Sequence, residues 1–496
     1  MKQKILLLVT LIGVVALSFG RLSLPASLAA SVFAQNSADP AGRIQRVEAG
    51  LLPAVIIRGE TTPWKLTERM AQLKVPGVSV AVINDGKIEW AKGYGVVEAG
   101  GTQPVTVETM FQAASISKPV ATMAALRLVE EGRLSLDEDV NQRLKSWKVP
   151  DNEFTKEKKV TLRRLASHSA GLTVPGFPGY AVDKEIPTAV QILDGEKPAN
   201  TAPVRVDIPV GSKWRYSGGG ITVMQLLMTD VTGKSFPDLM RELVLSKIGM
   251  THSTYQQPLP KEMTGKAAVA HRLDGTPVIG KWHVYPEMAA AGLWTTPSDL
   301  ARFAIELQKS RVGKSNKVLS QKMTGEMLTR QFESWGLGIG LEGEGRAASF
   351  SHGGSNMGFR CQLVAFSETG QGAVVMTNSD RGGQLATEIL RGIAVEYNWP
   401  GWKPEERVLA KVDPKIHEAY VGKYELGSGQ FVTISKENDR LMAAAPGEPV
   451  AELRPESETK FFINSARVTF VKDEQGQVTE IIVSRGGQEM RARKVK

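Results

Sequence analysis

Two hydrophobic periods share this chain, and they change over at one breaker-rich place. Between residue 45 and Tyr397, strand-like runs alternate with segments of helical periodicity; beyond Trp399-Pro-Gly-Trp-Lys-Pro404 short runs alternate apolar and polar residues, with no helical period. A period of 3.6 buries one face of a helix and a period of two buries one face of a sheet. The chain therefore reads as a mixed α/β region over 45–398, a linker over 399–410 and a small antiparallel β domain over 411–496. In the first region, Gly77 to Asn84 and Lys87 to Lys92 read as strands joined at Asp85-Gly86, a strong hairpin signal. Helices are expected over about 117–131, closed by Gly132, then over 161–168, over 221–231 closed by Gly233, over 297–309 with Thr296 as N-cap and Pro297 in first position, and over 385–397. Strands are expected at 359–366 and 372–377, and helical periodicity runs through residues 45–73. In the last 85 or so residues, alternating runs such as Arg467-Val-Thr-Phe-Val are separated by Gly and Asp/Asn turns, as in a small barrel.

The N-terminus reads as a targeting segment. Lys2 and Lys4 precede an apolar stretch from Ile5 to Phe19, and small residues follow near Leu28-Ala-Ala30 and Val32-Phe-Ala34. The apolar stretch is short of the roughly 20 residues a spanning helix needs, so residues 1–34 are expected to be a cleaved signal peptide and 35–44 a polar leader. The mature chain is then exported, periplasmic or secreted, with no membrane span. The formal net charge of +9 becomes +6 without Lys2, Lys4 and Arg21, and acidic residues are mixed throughout its 496 residues. No basic run or aromatic-interleaved basic stripe is present, which argues against a nucleic-acid partner. Cys361 is the one cysteine, so an intramolecular disulfide and a Cys-based metal site are excluded, and it reads as a buried core thiol.

Several chemistries fall away by pattern. His-Glu-x-x-His and Gly-x-Ser-x-Gly are absent. Gly338-Ile-Gly-Leu-Glu-Gly343 has the spacing of a dinucleotide loop, but Glu344-Gly345 follows where a helix should start, so it reads as a glycine-rich hairpin. His168, His252, His271 and His283 show no ligand spacing and read as core or surface residues; neither metal nor cofactor is called for. What remains is Ser115-Ile-Ser-Lys118. Another Ser-x-x-Lys, at Ser457 to Lys460, lies in a polar turn and reads as chance. The first opens a strongly periodic helix, where positions i and i+3 share a face and the positive dipole end favours a developing oxyanion. Pro119 in the first turn removes an N–H that has no helical partner.

These residues carry a resemblance. Phe111-Gln-Ala-Ala-Ser115-Ile-Ser-Lys118-Pro119, with Leu165-Ala-Ser-His168-Ser-Ala-Gly-Leu172 and Ala291-Gly-Leu-Trp-Thr-Thr296, resembles the serine β-lactamase-related family over about residues 45–400. That family groups class C-type β-lactamases, penicillin-binding-like D,D-peptidases, D-aminopeptidases and family VIII-type esterases. The resemblance implies an antiparallel sheet flanked by helices, a helical cluster, a cleft between them and a C-terminal lipocalin-like β domain. It implies an acyl-enzyme on Ser115, with Lys118 and Tyr216 handling protons and the backbone N–H groups of Ser115 and Ser355 forming the oxyanion hole. Tyr216-Ser-Gly218 stands where the family has Tyr-x-Asn, and His352-Gly353-Gly354 where β-lactamases have Lys-Thr-Gly. Gly218, Gly353 and Gly354 are expected to line the substrate site, with His352 acting on the intermediate, on Tyr216 or on a substrate carboxylate. Glycine at 218 cannot hold a substrate amide, and loss of the lysine weakens selection for a carboxylate. An esterase or D-amino-acid peptidase taking small acyl or peptide substrates is therefore expected ahead of a β-lactamase. A non-turnover penicillin-binding protein, or an envelope scaffold or sensor, is the alternative, and the oligomeric state is open.

Overall fold

In a computed structural model of the chain, which describes residues 39–427, 429–446, 450–485 and 488–495, the Asp-Gly pair closes a two-residue hairpin. Asp85 and Gly86 take φ of 51° and 66°, the left-handed values such a turn requires. They join β1 (Gly77–Asn84) to β2 (Lys87–Gly95). The expected signal peptide, 1–34, lies outside the described residues, as do residues 35–38 of the leader. Residues 45–496 form one compact unit; of the segment before it, residues 39–44 are described, helical from Pro40.

Four further strands, β3 (Gly340–Glu342), β4 (Ser349–Asn356), β5 (Phe359–Phe366) and β6 (Gly372–Thr377), complete a six-stranded sheet. Its order is β2-β1-β6-β5-β4-β3, antiparallel throughout. β6 is buried at every position and β1 at all but its last, which explains their unbroken apolar runs. β5 and β6 occupy the residues expected for them. Between β2 and β3 in sequence comes the helical cluster, led by α1 (Ser117–Glu130) and α2 (Gly218–Thr232); α3 (Pro297–Arg311) and α4 (Gly382–Glu396) pack on the sheet.

The helices depart from expectation in instructive ways. α1 has the expected start, but eleven of its fourteen residues are buried, so it is a central helix surrounded by protein rather than an amphipathic surface helix. α2 begins three residues early, through Gly218-Gly-Gly220, because Ser217 caps it by accepting the Gly220 N–H at 2.9 Å. The cap and tertiary packing outweigh the poor helix propensity of glycine. The region read as continuous helical periodicity up to Leu73 is two helices, Pro40–Ala49 and Leu66–Gln72, around a strand at Val55–Ile57. That strand pairs in parallel with Glu405–Arg407, so the linker is partly structured.

The C-terminal strands form a closed eight-stranded antiparallel barrel, from Gly422–Gly427 to Gln488–Val495, in which first and last strands pair. Its interior is filled by Tyr424, Leu441, Phe461, Phe470 and Ile481, with Tyr420 stacked on Phe470 at 4.1 Å. Gly338 to Gly343 passes into β3 and a turn, the hairpin expected in place of a dinucleotide loop.

The N-terminal helix Leu66–Gln72 is tied to α4 by a buried ion pair. Arg69 donates two hydrogen bonds of 2.8 Å to Glu388, which is 2% exposed. Removing the carboxylate leaves a guanidinium uncompensated, so Glu388→Ala is expected to cost about 3–5 kcal/mol in urea unfolding at neutral pH.

Candidate functional site

The nucleophile segment is held under local strain. Phe111–Gln112 pairs with Trp294–Thr295, and the Ala113 N–H donates to the Leu293 carbonyl at 2.8 Å. The chain then turns sharply at Ala114, whose φ of 50° places a Cβ-bearing residue in the left-handed region, at a cost on the order of 1–3 kcal/mol. The 3₁₀ turn Ala114–Ile116 that follows leads straight into α1. The Ser117 hydroxyl pins the turn, donating to the Ala114 carbonyl at 2.5 Å and accepting the Leu293 N–H at 3.0 Å. Lys118, one helical turn from Ser115, is 2% exposed. Its Nζ donates to Ser115 Oγ at 2.9 Å and to the Ala290 carbonyl at 2.8 Å.

Tyr216 arrives on the loop before α2, its ring centroid 5.0 Å from Lys118 Nζ. His168 brackets this loop. Its carbonyl accepts the Arg215 N–H at 2.8 Å and its Nδ1 accepts the Ser217 N–H at 3.2 Å, so both neighbours of Tyr216 are fixed by one residue. The imidazole also lies 4.4 Å from the tyrosine ring, centroid to centroid. His168, read from the sequence as a core or surface residue, is a core residue, and its place beside the site was not read from it. The available signal was its position in the Leu165–Leu172 segment. Trp335 closes the cluster, 6.0 Å from Tyr216 and 5.5 Å from His352.

β4 supplies the opposite wall. Gly354 presses against the nucleophile turn so closely that a Cβ there would stand 2.2 Å from the Ala113 carbonyl oxygen. Asn356 locks the strand end, donating to Gln112 Oε1 at 2.8 Å and to the Ala291 carbonyl at 3.1 Å. Ser115, Tyr216, His352, Gly353, Gly354 and Ser355 thus line one cavity of about 480 Å³. Gly218 is not on its wall: it lies under the 175–177 loop, where a Cβ would come 3.0 Å from the Phe177 ring and 3.1 Å from the Pro175 carbonyl. The glycine in place of asparagine therefore has a packing reason. Cys361 is buried, as expected, and burial pushes its thiol up to about 12.

Electrostatics define the site further. Burial, reinforced by the Lys118 charge, pushes His352 down to about 3, and the same two causes hold His168 well below the usual imidazole range. Both are therefore neutral at physiological pH. His352 Nδ1 lies 2.7 Å from the Gly353 carbonyl, which can only accept, so Nδ1 carries the proton and Nε2 is an acceptor. A neutral imidazole offers no cation for a substrate carboxylate. Burial also pushes Glu287 up to about 8, at the start of the turn that presents Ala290.

A family model described as Beta-lactamase matches residues 65–397, about two thirds of the chain. The chain belongs to the beta-lactamase family. A second model, a domain of unknown function (DUF3471), matches residues 406–494. Penicillin-binding protein 4* of Bacillus subtilis (strain 168) is 24% identical over 448 residues, covering 83% of this chain and 93% of that protein. Among solved structures, the octameric penicillin-binding protein homologue from Pyrococcus abyssi aligns with a TM-score of 0.57 at 21% identity, over 86% of this chain and 98% of that one. SurE with D-Leu aligns with a TM-score of 0.52 at 18% identity, over 87% and 97%. The fold is beta-lactamase-like, with the barrel appended, and the family makes the chain a serine hydrolase in general terms.

Two outcomes are expected. Gly354→Ala must push β4 off the Ala113 carbonyl by something near 1 Å, and kcat/KM should fall by about 100-fold while the circular dichroism spectrum stays native. His352 binds a proton near 6.5 when unfolded but near 3 when folded. Between those values the unfolded chain holds the extra proton, so this residue's penalty on stability grows as pH falls from 6.5 towards 3. His352→Asn should therefore gain stability relative to wild type as pH is lowered from 7 to 4; a difference independent of pH would show that the imidazole is not held neutral.

Proposed function

We propose that the chain is an exported serine hydrolase that forms an acyl-enzyme on Ser115, acting as an esterase or D-amino-acid peptidase rather than a β-lactamase. The hydrogen bond from Lys118 Nζ to Ser115 Oγ carries this reading, because it aligns a buried amine on the hydroxyl of a residue that lines the cavity together with Tyr216. As Ser115 Oγ attacks the substrate carbonyl, its proton passes to the Lys118–Tyr216 pair and from there to the leaving group. Backbone N–H groups of Ser115 and Ser355 receive the oxyanion, each worth about 3–4 kcal/mol. Water, activated by the same pair, then attacks the acyl carbonyl and returns the proton to Ser115. His352, neutral and with its one proton on Nδ1 held by the Gly353 carbonyl, leaves Nε2 as an unpartnered acceptor on the cavity side and does not protonate the intermediate.

The preference against β-lactams rests on two features. Gly218 offers no side chain to an acylamino group, and His352, neutral, stands where a lysine would attract a carboxylate. A D-amino-acid substrate has additional support from a structural neighbour solved with D-Leu. Export is supported by residues 1–34 and leads to the periplasm or medium. The similarity to penicillin-binding protein 4* favours one other reading, a protein that is acylated by penicillin and turns over slowly.

Hydrolysis of p-nitrophenyl butyrate and a chromogenic cephalosporin by wild type and Ser115→Ala separates these. Ester turnover that drops by about 1,000-fold or more in the variant, with little cephalosporin cleavage, is expected. A single stoichiometric burst with cephalosporin and no ester turnover would establish the penicillin-binding reading instead.

A further inference from the structure

The charge of the cavity wall bears on what enters it. Among the described residues, the side chains lining the cavity include one carboxylate, that of Glu342, and no lysine or arginine. Glu342 ends the edge strand β3, is exposed, and its carboxylate has no ion-pair partner among the described residues. Of the cations nearby in the fold, Arg330 donates to the Gly343 carbonyl at 3.5 Å, beside Glu342 but not paired with its carboxylate, and the others are directed elsewhere. Arg360 on β5 is paired with Asp380 at 2.9 Å and donates to the Phe359 carbonyl at 2.8 Å. Lys118 is buried behind Ser115, its hydrogen bonds directed to Ser115 Oγ and the Ala290 carbonyl. His352, on β4, the strand hydrogen-bonded to β3, is neutral. Trp335 lines the same wall, its ring edge 3.3 Å from where a Cβ on Gly340 would stand, so the indole lies against the strand that carries Glu342. A carboxylate and an indole bordering one space attract a cation together, one by charge and the other through its π face.

We propose that the acyl group accepted by this site carries a positively charged amine, and that Glu342 and Trp335 receive that amine while Ser115 attacks the carbonyl. The proposal rests on the serine-hydrolase reading above and adds to it a substrate class and a specificity-determining residue. It also gives a reason for the uncharged third motif: a lysine at 352 would place a cation on the wall of the same cavity and repel the same amine.

The test compares p-nitrophenyl esters of hexanoate, 6-aminohexanoate and adipate, which differ at the far end of one chain length. Wild type is expected to prefer the amine-bearing ester over the neutral one, and the neutral one over the carboxylate-bearing one. In Glu342→Gln the ratio of kcat/KM for the amine-bearing to the neutral ester should fall by about three- to tenfold, the range of a partly exposed charge pair with an aromatic partner. Glu342→Lys should invert the order of the two charged esters. A ratio unchanged in both variants, or a wild type that prefers the adipate ester, overturns the proposal. Failure to cleave any of the three esters would overturn the hydrolase reading itself, which separates the two failures.

Discussion

An amine buried without a carboxylate partner constrains everything around it. Lys118 has two oxygen acceptors, Ser115 Oγ and the Ala290 carbonyl, and no ion pair among the described residues. A charge removed from water needs such acceptors in fixed positions. The turn bearing Ala290 is accordingly fastened on both sides: Gln225 accepts the Ala289 N–H at 2.8 Å and donates to the Pro286 carbonyl at 3.1 Å, and Gln257 donates to the Gly292 carbonyl at 2.8 Å. Burial keeps His168 and His352 neutral, and the charge of Lys118 adds to it. Strain at Ala114 belongs to this arrangement, since it turns Ser115 back over the lysine one helical turn away.

What the sequence revealed follows from how far apart the interacting residues are. Ser115 and Lys118 are three residues apart, where a 3₁₀ turn runs straight into α1, and the Asp85-Gly86 turn is wholly local, so pattern and propensity find both. The partner of Lys118 is 172 residues away at Ala290, and the bracket on Tyr216 comes from His168, 49 residues before Ser217. Neither separation leaves a periodic trace. The left-handed Ala114 is equally silent, because an alanine does not advertise a positive φ as glycine does. Gly218 was legible as a departure from the family's Tyr-x-Asn, but its cause, the 175–177 loop lying where a side chain would go, exists only in three dimensions. Helix α1 shows the limit of periodicity from the other side: a helix enclosed by protein has no polar face to set its phase.

The barrel presents a different problem, because its alternating pattern is plain and its relation to the site is not. Among the described residues, those lining the cavity lie between Ser115 and Gly383, and none belongs to the barrel. It is joined to the hydrolase region through Arg407, which is 4% exposed, pairs with Glu405 at 3.0 Å and Glu456 at 3.5 Å, and lies over the Phe462 ring at 4.5 Å. Arg407 ends the strand that pairs with Val55–Ile57, and a few residues earlier Leu52 donates its N–H to the Glu388 carbonyl in α4. α4 packs on β5 and β6, and β5 is hydrogen-bonded to β4, which carries His352 and Gly354. This is contiguity through packed and hydrogen-bonded elements. Its physical content is support: the barrel closes its own edges and fixes a strand pair behind α4. A sheet backed in this way can hold Gly354 against the Ala113 carbonyl with no side chain between them.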